Sequence, residues 1–183
     1  MWIAVHPEKC SGCRTCEVAC SFAHYRKFGT SLARVRVSKL EVVGVDCPIL
    51  CRQCPDSPCV EACCSGALAR SPSGAVLLDE DACVQCEACA EACPYGACTL
   101  HPETGAPLIC DLCGGDPACV RECPTAALTC DEGVGAPVEG IDRDACRRAG
   151  QGTDPLAVRL QRKRDALSRQ LAQPSLVKWG IRR

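Results

Sequence analysis

Alternation of polar and apolar residues in the first third of the chain predicts two short β-strands. Residues 34–38 (RVRVS) alternate as a half-buried strand does, and Val42, Val43 and Val45 indicate the strand that pairs with it. Both lie in an insertion from residue 21 to residue 46 that contains no cysteine.

Two further hairpins are predicted where apolar runs flank turn-forming residues. Residues 67–70 and 75–78 flank the sequence SPSG, which favours a turn. Residues 127–129 and 140–142 flank a loop rich in Gly and Pro in the same way. These hairpins, with the short helices predicted below, indicate an α+β fold.

Helical periodicity is clearest near the C-terminus. Leu156, Leu160, Leu167 and Leu171 are spaced so that they share one face of a helix, which Pro174 ends. Basic residues occupy the other positions. The sequence therefore predicts a C-terminal amphipathic helical tail.

The composition leaves few large side chains for a core. Aromatic residues make up 3% of the 183 residues, whereas 21 residues are cysteine. No basic segment followed by an apolar run comes after Met1, and no apolar stretch approaches about 18 residues, so neither a signal peptide nor a membrane span is expected. In the reduced cytoplasm that this predicts, clustered cysteines bind metal more often than they form disulfides.

Sixteen cysteines fall into four blocks of four, which is the strongest organising signal in the chain. Blocks one and three have the spacing C-x2-C-x2-C-x3-C, and blocks two and four have a longer middle gap. Good helix formers fill the C-x3-C half of each block, which predicts a short helix there. The blocks are, in order, Cys10, Cys13, Cys16 and Cys20; Cys51, Cys54, Cys59 and Cys63; Cys83, Cys86, Cys89 and Cys93; Cys110, Cys113, Cys119 and Cys123.

This spacing favours 4Fe–4S clusters. Three cysteines in one loop hold three corners of a cluster, and the short helix carries the fourth cysteine to a second cluster, as in the bacterial run C-x2-C-x2-C-x3-C-P. Four blocks therefore predict two pairs of blocks and four clusters. Zinc is the weaker alternative, because its sites are usually built from two separated pairs of ligands. Folding should be coupled to cluster binding, since the clusters replace a large apolar core.

Three of the blocks carry a resemblance to a known family. The sequences CVQCEACAEACPYGA and CDLCGGDPACVRECPTAAL are specific for it, and CRQCPDSPCVEAC fits it. From residue 3 to about residue 146 the chain resembles the four-cluster ferredoxin-type electron-transfer subunits of the dimethyl sulfoxide reductase B-subunit family. It is most similar to the small iron–sulfur subunits of bacterial tungsten aldehyde oxidoreductases and tungsten benzoyl-CoA reductases. The resemblance implies a domain at 1–146 made of two fused bacterial-ferredoxin modules, followed by the tail at 147–183.

The resemblance also implies which cysteines share a cluster, because it pairs block one with block four and block two with block three. Cys64 stands where the family usually has proline, directly after Cys63, and it is the main competitor of Cys63 as a ligand. The implied sets are Cys10, Cys13, Cys16 and Cys123; Cys20, Cys110, Cys113 and Cys119; Cys51, Cys54, Cys59 and Cys93; Cys63, Cys83, Cys86 and Cys89.

The function that the resemblance implies is electron relay. Single electrons would pass between a tungsten- or molybdenum-pterin catalytic subunit, of the aldehyde oxidoreductase type, and a redox partner such as a flavin subunit or a quinone. Complexes of the benzoyl-CoA reductase, hydrogenase, formate dehydrogenase and dimethyl sulfoxide reductase types are alternatives. The sequence contains no catalytic constellation, so the chain is not expected to be an enzyme alone. A scaffold that uses metal only for folding is the alternative from another class.

Charge is divided unevenly along the chain. Residues 147–183 hold ten Lys and Arg against two acidic residues, a charge of +8, whereas residues 1–146 carry −9. Basic amphipathic helices also bind membranes or nucleic acid. The charge of the acidic head, residues 1–146, nevertheless favours a tail, residues 150–183, that assembles with a partner subunit or with further copies of the chain. Head-to-tail contacts between copies make rings or filaments. No nucleic acid is expected as a partner.

Five cysteines lie outside the blocks and are interpreted as small buried hydrophobic residues beside the clusters. Asp111, near the start of block four, is interpreted as a cap or a group that tunes a potential. The surplus cysteines are Cys47, Cys64, Cys98, Cys130 and Cys146.

Overall fold

The structure is a computed structural model that describes residues 1–40 and 44–132. The predicted tail helix, the predicted strand at 140–142, and Cys146 lie outside the described residues. Within them the longest helix has 11 residues, and none is long and apolar enough to cross a membrane.

Short strands form four separate two-stranded antiparallel sheets in the described residues. Strand β1 pairs with β8, β2 with β3, β4 with β5, and β6 with β7. The strands are β1 (Trp2–Val5), β2 (Val35–Leu40), β3 (Val45–Leu50), β4 (Leu68–Arg70), β5 (Val76–Leu78), β6 (Thr99–Leu100), β7 (Pro107–Leu108) and β8 (Leu128–Asp131).

The β4–β5 hairpin confirms the prediction for residues 67–78, and the β2–β3 pair confirms a strand at 34–38 with a partner that includes Val45. Residues 128–129 lie in β8, which pairs with β1, a partner that the sequence did not indicate, whereas the predicted partner at 140–142 lies outside the described residues. This pairing places the buried side chains of Ile3 and Leu128 in one hydrophobic cluster. Burial of these two side chains in one cluster therefore explains the long-range partner.

A short helix forms in every block, as the sequence predicts, after the loop that contains the first two cysteines. Each helix begins at the residue immediately before the third cysteine of its block. Arg14, Ser57 and Glu87, which precede the first three helices, have φ values of 60°, 39° and 63°, so the chain reverses sharply there. The helices are α1 (Thr15–Tyr25), α2 (Pro58–Glu61), α3 (Ala88–Ala92) and α4 (Ala118–Arg121).

The packing of the helices brings the blocks together in pairs. Helix α1 of block one packs against α4 of block four, and α2 of block two packs against α3 of block three. Each pair has its own hydrophobic cluster, the first around Ile3, Leu50 and Leu128, the second around Leu68 and Val76. Both clusters also contain cysteines from the blocks, and no aromatic residue is buried in the described chain. Block cysteines thus form part of the core.

Candidate metal centres

The first cavity lies between the loop of block one and the end of block four. It is lined by Cys10, Cys13, Cys16 and Cys123. Burial raises the pKa of Cys10, and nearby negative charges, including Cys13 and Cys123, raise it further. The cavity therefore groups three cysteines of one block with the last cysteine of another.

A second cavity lies in the other pair of blocks, and it is lined by Cys51, Cys54, Cys59 and Cys93. Burial raises the pKa of Cys51 to about 12, and the charges of the other three thiols act in the same direction. The arrangement again combines three cysteines of block two with the last one of block three.

The third cavity is lined by Cys63, Cys83, Cys86 and Cys89. The thiol of Cys63 lies in its wall, whereas Cys64 is exposed and is not among the lining residues. The structure therefore brings Cys63 together with the first three cysteines of block three.

The remaining four block cysteines lie near one another in the core of the first pair of blocks. Burial raises the pKa of Cys119, and the charges of Cys20 and Cys113 raise it further. Burial likewise raises the pKa of Cys110 well above its ordinary value, and Cys119 and Cys20 are among the charges that contribute. Cys20, Cys110, Cys113 and Cys119 are thus close enough to act on one another electrostatically.

These four groups fit the requirements of 4Fe–4S clusters. Each offers four sulfur donors, which is the ligand number of such a cluster. Burial raises the pKa of Cys16 and Cys51 to about 12 and that of Cys59 to about 11, so these thiols ionise readily only beside a positive charge. Iron supplies such a charge, and coordination removes the thiol proton.

Backbone amides donate to the last cysteine of every block. The amide of Arg34 lies 3.3 Å from the Sγ of Cys20, and the amide of Ala97 lies 3.3 Å from the Sγ of Cys93. At Cys63 and Cys123, burial acts to raise the pKa, but backbone N–H groups four and five residues further on lower it below its ordinary value. N–H donors of this kind are among the factors that set a cluster's reduction potential.

A repeated turn places the amides that approach the last cysteines of blocks two, three and four, and sequence reasoning missed it. In blocks two, three and four the residue four positions after the last cysteine is a buried alanine, Ala67, Ala97 or Ala127. The residue before each alanine has positive φ: Gly66 68°, Gly96 58° and Ala126 51°. The recurrence of Ala at this spacing is the signal from which the turn was predictable.

The side chain of Gln53 connects the two pairs of blocks. It is 2% exposed, its Nε2 donates to the carbonyl of Cys110 (2.7 Å), and its Oε1 accepts from the amide of Val76 (3.0 Å). The negative charge of Cys51 also contributes to the raised pKa of Cys110. Cysteines of blocks two and four therefore approach one another beside Gln53.

Asp111 lies in a half-buried ion network next to Cys110. Its carboxylate accepts from Arg34 Nη1 (2.7 Å), His24 Nε2 (3.1 Å) and the amide of Cys113 (2.9 Å), which confirms a capping role. The hydrogen bond to Asp111 raises the pKa of His24 to about 10. Burial alone would raise the pKa of Asp111, but His24 and Arg34 hold it well below its usual range.

The surplus cysteines differ from one another, and the prediction that all are buried is wrong. Cys98 is buried as expected, but Cys64 and Cys130 are exposed and Cys47 is only partly buried. Cys130 lies near the end of β8, where burial decreases from the buried Leu128 to the exposed Cys130 and Asp131. The Sγ of Cys64 donates to the Sγ of Cys86 (3.7 Å), and the Sγ of Cys98 donates to that of Cys89 (3.9 Å).

The match to a known family falls on three of the four blocks. The match covers residues 43–133. The family whose model matches these residues is the 4Fe-4S dicluster domain. Block one lies before the matched residues.

Curated relatives match about half of the chain. The polyferredoxin-like subunit of an aliphatic sulfonate oxidoreductase of Pyrococcus furiosus is 45% identical over 48% of this chain and 51% of its own length. The electron transport protein HydN of Escherichia coli is 38% identical over 47% of this chain and 51% of its own length. The chain therefore spans about half the length of these relatives.

A similar solved structure is the active site complex of benzoyl coenzyme A reductase with benzoyl-CoA. The likeness covers 69% of this chain and 76% of that chain, with 30% sequence identity and a TM-score of 0.43.

Proposed function

We propose that the chain is the electron-transfer subunit of an oxidoreductase complex and that it binds four 4Fe–4S clusters in two fused ferredoxin-like modules. The observation that carries this proposal is the grouping of three cysteines of one block with the last cysteine of its partner block. When bound, such clusters supply one-electron transfer at potentials within about −700 to +450 mV.

The proposed ligands are all sixteen block cysteines. Blocks one and four supply two clusters, and blocks two and three supply the other two. The sets are Cys10, Cys13, Cys16 and Cys123; Cys20, Cys110, Cys113 and Cys119; Cys51, Cys54, Cys59 and Cys93; Cys63, Cys83, Cys86 and Cys89.

We propose that the four sets follow one another in the order just given. Cys119 of the second set is close enough to Cys16 of the first for its pKa to respond to that charge. Cys110 of the second set responds in the same way to Cys51 of the third. Cys98 lines the third cavity and contacts Cys89 of the fourth. The proposed route of transfer follows this order, with its ends at the exposed thiols of Cys13 and Cys86.

The proposed partner is a tungsten- or molybdenum-pterin catalytic subunit, of the aldehyde oxidoreductase type, with a flavin subunit as a further partner in the cytoplasm. The family resemblance supports this choice, and the relatives include a subunit named for an oxidoreductase and a protein named for electron transport. The grouping of candidate cysteines around three cavities of the described residues supports a role in relaying electrons.

Iron analysis tests the clusters. The anaerobically purified chain should contain about sixteen irons and a similar amount of acid-labile sulfide, with reversible reduction. Cys123→Ala should lower the iron content and remove or change the electron paramagnetic resonance signal of one cluster. The matched control is Cys130→Ala, which changes an exposed cysteine outside the sets and should leave both unchanged. Zinc in place of iron, or iron that cannot be reduced, would reject the proposal.

Affinity purification of the chain from its natural host tests the partner. Metal analysis of the complex should find tungsten or molybdenum, and an aldehyde should reduce the clusters of the complex but not those of the isolated chain. A complex that lacks both metals would contradict this assignment.

We also propose that the basic tail docks on the acidic head of a partner subunit or of another copy. Deletion of residues 150–183 should reduce the mass of the assembly or the retention of the partner. Unchanged mass together with unchanged retention would refute this role.

A further inference from the structure

Three side-chain donors lie beside the fourth set of cysteines. The Sγ of Cys64 donates to Cys86 at 3.7 Å, and the Sγ of Cys98 donates to Cys89 at 3.9 Å. The hydroxyl of Ser65 lies 3.7 Å from the Sγ of Cys63. Three of the four sulfurs that line this cavity are therefore in contact with an S–H or O–H group.

The two thiols are notable because neither belongs to a block. The other surplus cysteines of the described residues have different contacts: the Sγ of Cys47 donates to the carbonyl of Pro48, and Cys130 lies near the charges of Asp116 and Asp131. Cys64 and Cys98 thus both contact cysteines of the fourth set. This convergence gives two non-ligand cysteines a shared chemical role.

We propose that Cys64 and Cys98 are positioning residues that donate S–H···S hydrogen bonds to Cys86 and Cys89 and so raise the reduction potential of the cluster held by the fourth set. The inference rests on the proposed function, because it requires a cluster there. A sulfur bound to iron is a thiolate and only accepts hydrogen bonds, so the proton stays on the surplus thiol.

The direction of the effect follows from charge. Reduction adds one negative charge to a cluster, part of which lies on the sulfurs, so a donor stabilises the reduced form more than the oxidised form. The hydrogen bond strengthens as water is excluded. Cys98 is 9% exposed and Cys64 is exposed, so Cys98 should contribute the larger shift.

The consequence for the chain is an energetic gradient within one pair of blocks. The fourth set shares its module with the third set, whose cavity Cys98 also lines. By raising the potential at the fourth set, the two thiols favour movement of an electron from the third set to the fourth. The exposed Cys86, at the end of the proposed route of transfer, then marks the electron-accepting end of this module.

Redox titration of the intact, anaerobically purified protein tests the inference, with each reduced cluster followed by electron paramagnetic resonance. Cys98→Ala should lower one midpoint potential by an amount equal to about a tenfold change in electron affinity, which is about 59 mV for one electron. Cys64→Ala should lower the same potential by less. Cys98→Ser keeps a donor and should retain most of the native potential, and Cys130→Ala is the control. Iron content should equal that of the native protein in all four variants.

Several outcomes would overturn the inference. Potentials unchanged in both alanine variants would remove the proposed role, as would shifts in two different clusters. Loss of iron from Cys64→Ala with Cys63 intact would make Cys64 a ligand instead. A native protein with no reducible iron would overturn the proposed function as well, whereas native clusters with unaltered potentials in the variants would overturn only this inference.

Discussion

Replacement of Gln53 by leucine should make the protein lose its clusters faster. Leucine has a similar size but forms neither of the two hydrogen bonds that Gln53 makes. The amide of Val76 and the carbonyl of Cys110 would then remain buried without the partner they have in the native chain. The backbone carbonyl of Gln53, which accepts from Arg70, is kept in the variant.

The size of the effect follows from those two groups. A buried polar group left without a partner costs about 1–3 kcal/mol, so two such groups cost about 2–6 kcal/mol. A factor of ten in an equilibrium or rate corresponds to about 1.4 kcal/mol. If the hydrogen bonds break before the clusters are released, the rate of cluster loss should rise by at least about tenfold.

The assay is the decay of visible absorbance in a fixed, moderate concentration of denaturant under anaerobic conditions. Rates are compared because tightly bound cofactors violate two-state unfolding. The matched control is Gln85→Leu. Gln85 occupies the same position in block three and has a φ of 56°, close to the 50° of Gln53, but its side chain is exposed. Equal rates for the two variants would refute the argument, since backbone strain is common to both.

Three further predictions concern the turns, the ion network and the metal. Ala126→Gly should slow cluster loss by up to about fivefold, because it relieves about 1 kcal/mol of strain at positive φ. Gly66→Ala introduces such strain and should accelerate cluster loss. The same decay assay tests both variants, and slower cluster loss in Gly66→Ala would contradict the turn argument. Asp111→Asn keeps the cap on the amide of Cys113 but leaves Arg34 without its counter-charge, so it should accelerate cluster loss in that assay. Asp116→Asn removes a charge from an exposed pair with Arg121 and should leave the rate unchanged. Equal rates for the two variants would argue against a stabilising role of the Asp111 ion network. Removal of iron by a chelator should abolish most of the far-ultraviolet circular dichroism until iron and sulfide are restored, because block cysteines form part of both hydrophobic clusters, and an unchanged spectrum would show a fold independent of metal.

The local parts of the fold were predictable because their causes are local. Cysteine spacing marked the loops, and helix formers between the last two cysteines marked α1 to α4. The SPSG turn marked the β4–β5 hairpin. Each of these features depends on residues within a few positions of one another, so a single sequence contains the whole signal.

Long-range contacts were not predictable in the same way. The pairing of β1 with β8 joins residues more than a hundred positions apart. No turn sequence connects the two strands directly, so the local sequence does not indicate that they pair. Gln53 gave no signal either, since glutamine is usually exposed and Gln85 in the equivalent position is exposed. The difference arises because Gln53 faces block four, and that contact exists only after the two pairs of blocks have packed.

The scarcity of aromatic residues and the abundance of cysteine have one physical explanation. The hydrophobic cluster of the first pair of blocks contains Cys16, Cys20, Cys110 and Cys119, and that of the second contains Cys89 and Cys98. In most small domains large apolar side chains occupy such positions. Here the same cysteines are both candidate ligands and packing residues. A core substitution that alters burial or hydrogen bonding near a sulfur should therefore change a reduction potential even where it leaves the fold intact. Cys98, which packs in the core and contacts Cys89, is the residue where this coupling is most direct.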